Sequence, residues 1–321
     1  MLPSLKNRSL LSLQELSADE ILGLLELAAL LKRAKADGTE QARLRGRNIA
    51  LLFDKTGPRT RGALEVAAHD QGAHVSFVGP GDSRLGEKES IKDTARVLGR
   101  LYDAIEYRGF DQNTAQALAK WSGIPVYNDL TSPFHPTQIL ADFLTMHEHC
   151  TRPLAQIRLA CLGDPRYGVG ASLLQGAALL GMDCRIAAPH AMWPPQALIE
   201  ATCELARSSG ARLSFTESAH EAVQRVDFVY TDAPVSMGEP DAQWPERIAQ
   251  LEPYQVNASL LEASGNARVK FLHGLPALHD RRASQGLEVT DEVLESPASL
   301  VREQAENRLH TVKALLVATL D

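Results

Sequence analysis

A cationic segment, residues 55–61, carries residue types that are well suited to bind a phosphate group. Its sequence, Lys-Thr-Gly-Pro-Arg-Thr-Arg, holds three cations and two hydroxyls. It follows an apolar, strand-like run at 49–53 and precedes a helical pattern that begins near residue 60. At a helix N-terminus, backbone N–H groups and the helix dipole both favour an anion. The sequence therefore predicts an anion site here, although Pro58 contributes no N–H donor.

Other polar or glycine positions also follow strand-like runs, which is where an open α/β sheet binds its ligands. These positions are Arg108, His135, Gln138, Gly168, Asp232 and Gly274. Each is weak evidence by itself, since a histidine before a proline is usually a cap or core residue and a surface arginine usually forms an ion pair. The cationic segment alone is likewise compatible with a solvated turn. Only the set as a whole favours a ligand site.

The elements that must position these residues alternate regularly between strand and helix. Strands are predicted at 49–53, 74–78, 104–107, 125–128, 158–162, 183–188, 213–215, 228–231 and 270–273. Helices are predicted at 18–35, 60–72, 90–101, 112–121, 137–148, 170–181, 195–208 and 299–320. Such alternation predicts parallel sheets covered by helices on both faces. We expect two doubly wound α/β domains.

Length and composition exclude several classes of protein. At 321 residues the chain exceeds one ordinary core, and 44% hydrophobic with 23% charged residues is typical of a globular protein. A net charge of −7 argues against nucleic acid or an anionic membrane as a general partner. No apolar run is long enough to span a bilayer, and the N-terminus lacks a signal-peptide core. Four cysteines without a C-x-x-C pair indicate reduced thiols and a cytoplasmic location.

Taken together, the motifs resemble those of the aspartate/ornithine carbamoyltransferase family. The matching segments are 59–61, 86–90, 108–109, 135–138, 236–239, 273–276 and 306–308. They cover nearly the whole chain, and the Ser-Met-Gly sequence at 236–238 points to the branch that uses ornithine-like acceptors.

The resemblance implies a carbamoyltransferase fold with a defined division of the chain. Residues 1–148 would form a domain that binds carbamoyl phosphate, and 149–298 a domain that binds the amino-acid acceptor. Residues 299–321 would form a helix that returns to the first domain. The family also implies small-molecule substrates, no metal or cofactor, and a homotrimer or a multiple of one. In that assembly the 83–88 loop would complete the site of a neighbouring subunit.

The implied reaction is attack of an amine on the carbonyl carbon of carbamoyl phosphate, with phosphate leaving. Guanidinium groups suit a dianionic leaving group because they bind oxygen pairs, and the oxyanion needs donors already in place. The resemblance assigns catalysis to Thr60, Arg108 and His135. It assigns phosphate and carbamoyl binding to Gly57, Pro58, Arg59, Thr60, Arg61, Arg84, Arg108, His135, Gln138, Gly274, Leu275 and Arg308. It assigns acceptor binding to Gly168, Asp232, Ser236 and Met237.

Several ligand-facing positions depart from the family pattern. Gly57 and Pro58 replace Ser and Thr, Gly168 replaces an acceptor-binding Asn, Gly274 replaces a Cys, and Arg84 stands where Gln is usual. Each hydrogen bond lost to a charged group costs about 1.5–3 kcal/mol. We therefore hypothesise an enzyme with a roomier cleft that uses a bulkier or different acceptor, or a modified donor, in place of ornithine and carbamoyl phosphate. The alternative is a non-catalytic paralogue that acts as a binding or regulatory subunit.

Two other interpretations of the sequence are weaker. Glycines at 163, 168 and 170 follow a strand, but their spacing is not that of a dinucleotide fingerprint, and no acidic ribose partner ends the next strand. Residues 147–150, His-Glu-His-Cys, include metal-ligand types. Adjacent helix positions point in different directions, however, and cannot converge on one ion. We expect neither NAD nor a metal.

Overall fold

The computed structural model describes residues 5–81, 89–234, 244–278 and 287–321. The chain divides into two compact units. Met1–Leu144 together with Ala305–Asp321 form the first, and Thr145–Gln304 form the second. Each unit is built on its own parallel sheet.

The first unit contains a four-stranded parallel sheet in the order β2-β1-β3-β4. Its elements, in chain order, are α1 (Ala18–Ala36), β1 (Asn48–Phe53), α2 (Pro58–Asp70), β2 (His74–Val78), α3 (Ile91–Leu101), β3 (Ala104–Arg108), α4 (Gln112–Ser122), β4 (Val126–Leu130) and the start of α5 (Pro136–His149). The central strands β1 and β3 are buried almost throughout, as expected for strands covered on both faces. Parallel pairing brings the carboxyl ends of β1, β3 and β4 to one edge, with Phe53 opposite Arg108 and Arg108 opposite Leu130.

The second unit contains a five-stranded parallel sheet in the order β7-β6-β5-β8-β9. Its elements are β5 (Arg158–Leu162), α6 (Gly168–Leu179), β6 (Asp183–Ala187), α7 (Gln196–Ser209), β7 (Arg212–Thr216), α8 (Ala219–Ala222), β8 (Phe228–Thr231), α9 (Trp244–Leu251), α10 (Ala258–Ala263), β9 (Lys270–His273) and α11 (Asp291–Leu294). The last helix, α12 (Val301–Leu320), begins in this unit and ends in the first.

Local signals in the sequence explain where the helices begin. Ser17 and Glu20 form a reciprocal capping box at the start of α1, with the Ser17 side chain accepting from the Glu20 amide and the Ser17 amide donating to the Glu20 carboxylate. Ser90 and Asp111 are simpler N-caps of α3 and α4: the Ser90 side chain accepts from the Asp93 amide, and the Asp111 side chain accepts from the Asn113 amide. Each cap satisfies a backbone N–H in the first turn of its helix, which fixes where that helix begins.

The predicted fold class is confirmed, with each predicted strand and helix present within about two residues of its predicted bounds. The short helices α8 to α11 were not predicted, because four to eight residues show too little periodicity. The sheet order was not predicted either. In the described parts of the chain, no helix is long and apolar enough to cross a membrane.

Candidate active site

The cationic segment forms the junction between β1 and α2. Gly57 is the N-cap of the helix and Pro58 its first residue, a position where the missing N–H costs the helix no hydrogen bond. Thr60 is buried in the first turn. Arg61 takes another direction: its Nε donates to Glu65 at 2.8 Å, and its guanidinium lies 3.9 Å from the centre of the Phe77 ring. The structure therefore does not bring Arg61 into the cluster that the other arginines form.

Arg108 and Arg308 meet on one carboxylate, that of Asp129. Arg108 Nη1 donates to Asp129 Oδ2 at 2.6 Å, and Arg308 Nη2 donates to Oδ1 of the same group. Asp129 lies in β4 with no exposed surface, and the two arginines are 7% and 8% exposed. Arg108 Nη1 is also 3.5 Å from the Thr60 hydroxyl, which ties this cluster to the first turn of α2.

The electrostatics of the cluster follow from its burial. Burial alone raises the pKa of Asp129, but Arg308 and Arg108 outweigh that effect and hold its pKa well below the usual range, so the carboxylate is charged. Arg59 belongs to the same field. Its pKa is lowered by burial, then by repulsion from Arg308 and Arg108, so Arg59 lies close enough to these two arginines to feel their charge.

Gly57 allows Arg108 to lie against the backbone of the loop. A Cβ at residue 57 would be 2.7 Å from Arg108 Nε and 3.0 Å from its Cδ. The space opened by the missing side chain is therefore occupied by the arginine. At this position the structure does not support the predicted enlargement of the cleft.

His135 and Gln138 lie at the start of α5, beside the arginine cluster. Burial lowers the pKa of His135 well below its ordinary value; Asp129 opposes this effect, while Arg308 and Arg108 add to it. The imidazole is therefore neutral at physiological pH. Gln138 Nε2 donates to Asp142 Oδ1 at 2.8 Å, and its buried Oε1 has no hydrogen-bond partner within the described ranges.

The cluster retains donors that are not used by the protein. The Nε groups of Arg108 and Arg308 are both buried, and neither has a partner among the residues that the structure describes. A buried donor without an acceptor is costly, so native proteins rarely keep one without a reason. An anionic ligand that supplies oxygens to these N–H groups would satisfy both.

In the second unit, Asp232 and Gly274 follow the neighbouring strands β8 and β9. A Cβ at residue 274 would lie 3.2 Å from Asp232 Oδ1, so the carboxylate already borders the space that a side chain would take. Burial raises the pKa of Asp232, and the nearby His273 acts in the opposite direction. Asp232 also lines a small pocket together with Gly163, Thr231, Pro234, Ile248, Leu251, Tyr254, Leu287 and Glu288.

Leu275 is fixed by its neighbour His273. Its backbone lies in the left-handed region at φ 45°, which is rare for leucine. The Leu275 N–H donates to His273 Nδ1 at 2.8 Å, so Nδ1 is the acceptor and the ring proton is on Nε2, which faces Glu288 Oε1 at 3.1 Å. This chain of contacts sets the direction of the Leu275 backbone.

Gly168, the remaining predicted acceptor residue in the described chain, is the first residue of α6 and also has a positive φ of 45°. Asn is the side chain that best tolerates this region. Three predicted site residues, Arg84, Ser236 and Met237, lie outside the described residues.

Comparison with known families covers almost the whole chain. Residues 8–148 match the family described as "Aspartate/ornithine carbamoyltransferase, carbamoyl-P binding domain", and residues 155–319 match "Aspartate/ornithine carbamoyltransferase, Asp/Orn binding domain". The chain belongs to the aspartate/ornithine carbamoyltransferase family. It is a carbamoyltransferase of the ornithine branch.

Individual relatives place it in the same branch. A catabolic ornithine carbamoyltransferase of Pseudomonas putida is 55% identical over 99% of this chain and 98% of the relative. An ornithine carbamoyltransferase of Actinobacillus pleuropneumoniae serotype 5b is 54% identical over 99% of both. Among solved structures, the ornithine carbamoyltransferase from Pyrococcus furiosus superposes with a TM-score of 0.92 at 36% identity, covering 99% of this chain and 98% of that one.

Two carboxyl groups of this carbamoyltransferase are not among the residues that the sequence motifs indicate. One is Asp129, which lies within β4, whereas the sequence predicts a strand that ends at residue 128. The other is Glu106, a fully buried residue of β3, whose carboxyl oxygens have no partner among the described residues. Burial and then Asp129 raise the pKa of Glu106 well above normal, which favours its protonated form, while Arg308 and Arg108 act in the opposite direction. A signal existed, because Glu106 is two residues before Arg108 on the same face of an otherwise apolar strand.

Proposed function

We propose that the protein transfers a carbamoyl-type group from an acyl phosphate to the amine of an ornithine-like amino acid, with a specificity altered on the donor side. The observation that carries this proposal is the buried cluster of Arg108, Asp129 and Arg308 beside the N-terminus of α2. It combines fixed guanidiniums with a helix N-terminus, the arrangement that binds a phosphate.

The proposed roles follow from the geometry of the first unit. Arg59, Arg108 and Arg308 hold the phosphoryl oxygens, with the free Nε groups as donors. Thr60, Arg108 and neutral His135 face the carbonyl oxygen, where negative charge develops. The Gln138 Oε1 is suited to accept from the carbamoyl N–H. When the amine attacks the carbonyl carbon, a C–N bond forms, the bond from carbon to the phosphate oxygen breaks, and the amine proton is released.

In the second unit we propose that Asp232 binds the acceptor, together with Ser236 and Met237 and the backbone at Gly168. Gly274 and Leu275 would contribute to the carbamoyl end, with Leu275 offering its oriented backbone. The names of the relatives from Pseudomonas putida and Actinobacillus pleuropneumoniae support ornithine as the first acceptor to test.

Two features support a changed donor specificity in preference to a larger acceptor. A carboxylate, Asp129, lies among the arginines that would bind the dianion. The space left by Gly57 is filled by Arg108, and the space left by Gly274 is bordered by Asp232 and Tyr230. Neither glycine therefore enlarges the cleft by a full side chain.

The proposal is tested by a turnover assay with a series of acyl phosphates and diamino acids. The Pseudomonas putida relative is assayed in parallel for comparison. We expect turnover with ornithine-like amines, and a kcat/KM for carbamoyl phosphate at least tenfold below that of the relative, the cost of about one hydrogen bond to a charged group. An identical donor and acceptor profile would show ordinary specificity. Ligand binding without any turnover would instead favour the non-catalytic alternative.

We also propose a cytoplasmic homotrimer, or a multiple of one, in which Arg84 from the 83–88 loop reaches a neighbouring site. Membership of the family supports this assembly. Light scattering on the purified chain gives the subunit number. A monomer that turns over at its full rate would exclude a shared site.

A further inference from the structure

We infer that Asp129 is a built-in anion of the donor site, which weakens binding of the phosphate group of the donor. The inference rests on the proposed function, since it takes Arg108 and Arg308 to be donor-binding residues. It adds a residue that the sequence motifs did not include.

The Asp129 carboxylate is fixed by three hydrogen bonds. It accepts from Arg108 at 2.6 Å, from Arg308, and from the Thr137 hydroxyl at 3.3 Å. It has no exposed surface. Each guanidinium therefore donates one Nη–H to a protein carboxylate. These donors lie in the same buried space that would receive the substrate anion.

A phosphate entering this site meets two effects that reduce its affinity. The Asp129 charge repels it at short range with little solvent to screen the interaction. Arg108 and Arg308 are also already oriented toward Asp129, so fewer of their N–H groups remain for a ligand. Their Nε groups are among those that remain. Burial favours the uncharged forms of Glu106 and His135, which also lie near the cluster. Arg59 and Lys55 add positive charge nearby, so Asp129 is the negative group that both Arg108 and Arg308 contact.

The competing explanation is that Asp129 is a structural tie between β4 and α12, with no effect on the ligand. Both explanations predict that removing the carboxylate reduces stability, because two buried cations would lose their counter-ion. They differ in ligand affinity. Only a built-in anion predicts that phosphate binds more tightly once the carboxylate is gone, because the ligand then replaces the lost charge.

The test is calorimetric titration of inorganic phosphate, and of carbamoyl phosphate, into the full-length wild type, Asp129→Asn and Asp129→Ala. We expect the variants to bind phosphate about tenfold to a hundredfold more tightly than the wild type. The matched control is Asp70→Asn, which removes a carboxylate from the buried pair with Lys313 in the same unit, away from the arginine cluster. Its phosphate affinity should equal that of the wild type.

A thermal-shift series in phosphate serves as the second measurement if a variant is too unstable for titration. Phosphate should then raise the Tm of the Asp129 variants by more than it raises that of Asp70→Asn. Equal or weaker phosphate binding by both Asp129 variants would overturn the inference and leave the proposed function standing. If the wild type and all variants fail to bind phosphate or carbamoyl phosphate, the donor-site assignment fails, and the inference fails with it.

Discussion

Lys55 is the residue of the cationic segment whose charge changes near physiological pH. Burial lowers its pKa to about 8, with repulsion from Arg108 adding to this and Asp54 opposing it. Its Nζ lies 3.9 Å from the centre of the Phe110 ring, which stabilises the charged form. The ammonium is therefore largely charged below pH 8 and neutral above it, and it contributes to anion binding only on the acid side.

We expect deprotonation of the Lys55 ammonium to affect the pH dependence of phosphate binding. Between about pH 7 and 9 the wild type should lose severalfold in phosphate affinity relative to Lys55→Arg, whose guanidinium stays charged throughout. Titrations of both proteins in the same buffers measure this ratio. A ratio that does not change with pH would show that Lys55 does not act on the bound anion.

Gly57 offers a test of why the family serine is missing. If the lost hydroxyl matters most, Gly57→Ser should improve donor binding. The structure predicts the reverse, since a Cβ at this position lies 2.7 Å from Arg108 Nε and would displace the guanidinium. We expect phosphate affinity to fall about tenfold, the cost of disturbing one charge-assisted hydrogen bond.

Gly57→Ala is the matched control, because it adds the Cβ without the hydroxyl. Titration with phosphate should show a similar loss for both variants if displacement of Arg108 is the cause. Tighter binding by the serine variant together with weaker binding by the alanine variant would instead assign the effect to the hydroxyl.

At the scale of elements, α3 and α4 pack closely because of one glycine. A Cβ on Gly99 of α3 would lie 1.8 Å from the carbonyl oxygen of Ser122, the last residue of α4. Backbone cannot give way as a flexible side chain can. We expect Gly99→Ala to destabilise the protein by about 1–3 kcal/mol, the usual cost of overpacking, measured by urea unfolding.

Gly62→Ala is the control for Gly99→Ala. Gly62 lies in α2, and a Cβ there meets nothing within 4 Å. Alanine should therefore stabilise the helix by about 0.5–1 kcal/mol through its better helix propensity. If both alanine variants shift stability in the same direction, close packing of α3 on α4 is not the reason for Gly99.

Elements were easier to predict than their arrangement. The apolar run 49–53 and the cap at Ser17 are local signals, so the starts of β1 and α1 could be placed from sequence. The order of strands depends on pairings between residues far apart, such as Ile49 with Ala104, and a single sequence does not encode these in any local pattern.

The same distinction explains what was found at the site. Arg108 ends β3 and His135 follows β4, so their position at the carboxyl edge of the sheet could be predicted from the sequence. Asp129 could not, because its significance depends on Arg108, 21 positions earlier, and Arg308, 179 positions later. The pair of Arg61 with Glu65 is different, because residues four apart on a helix are neighbours and the spacing is visible in the sequence.

At the scale of the whole molecule, α12 links the two units in the chain, and a buried lysine is one of its contacts with the first unit. Lys313 has no exposed surface, and its Nζ contacts Glu40 at 2.6 Å and Asp70 at 2.7 Å. Burial raises the pKa of Asp70, but Lys313 and Lys35 outweigh that effect and lower it below its ordinary value. The ion pair therefore stabilises the fold above the ordinary pKa of an aspartate, and its contribution is lost as pH falls through the lowered value.

Removing the cation should leave buried carboxylates without their partner. We expect Lys313→Met to lose about 3–5 kcal/mol at neutral pH, because breaking a buried pair costs more than the pair itself contributes. The control is Arg302→Met, a change on the same helix, which breaks the exposed pair of Arg302 with Glu295 and should cost at most about 1 kcal/mol. Urea unfolding at neutral pH and near pH 3 measures both, and the Lys313 effect should shrink in acid as the carboxyls become protonated. Equal losses for the two variants would mean that packing of apolar residues, and not this ion pair, holds the C-terminal helix on the first unit.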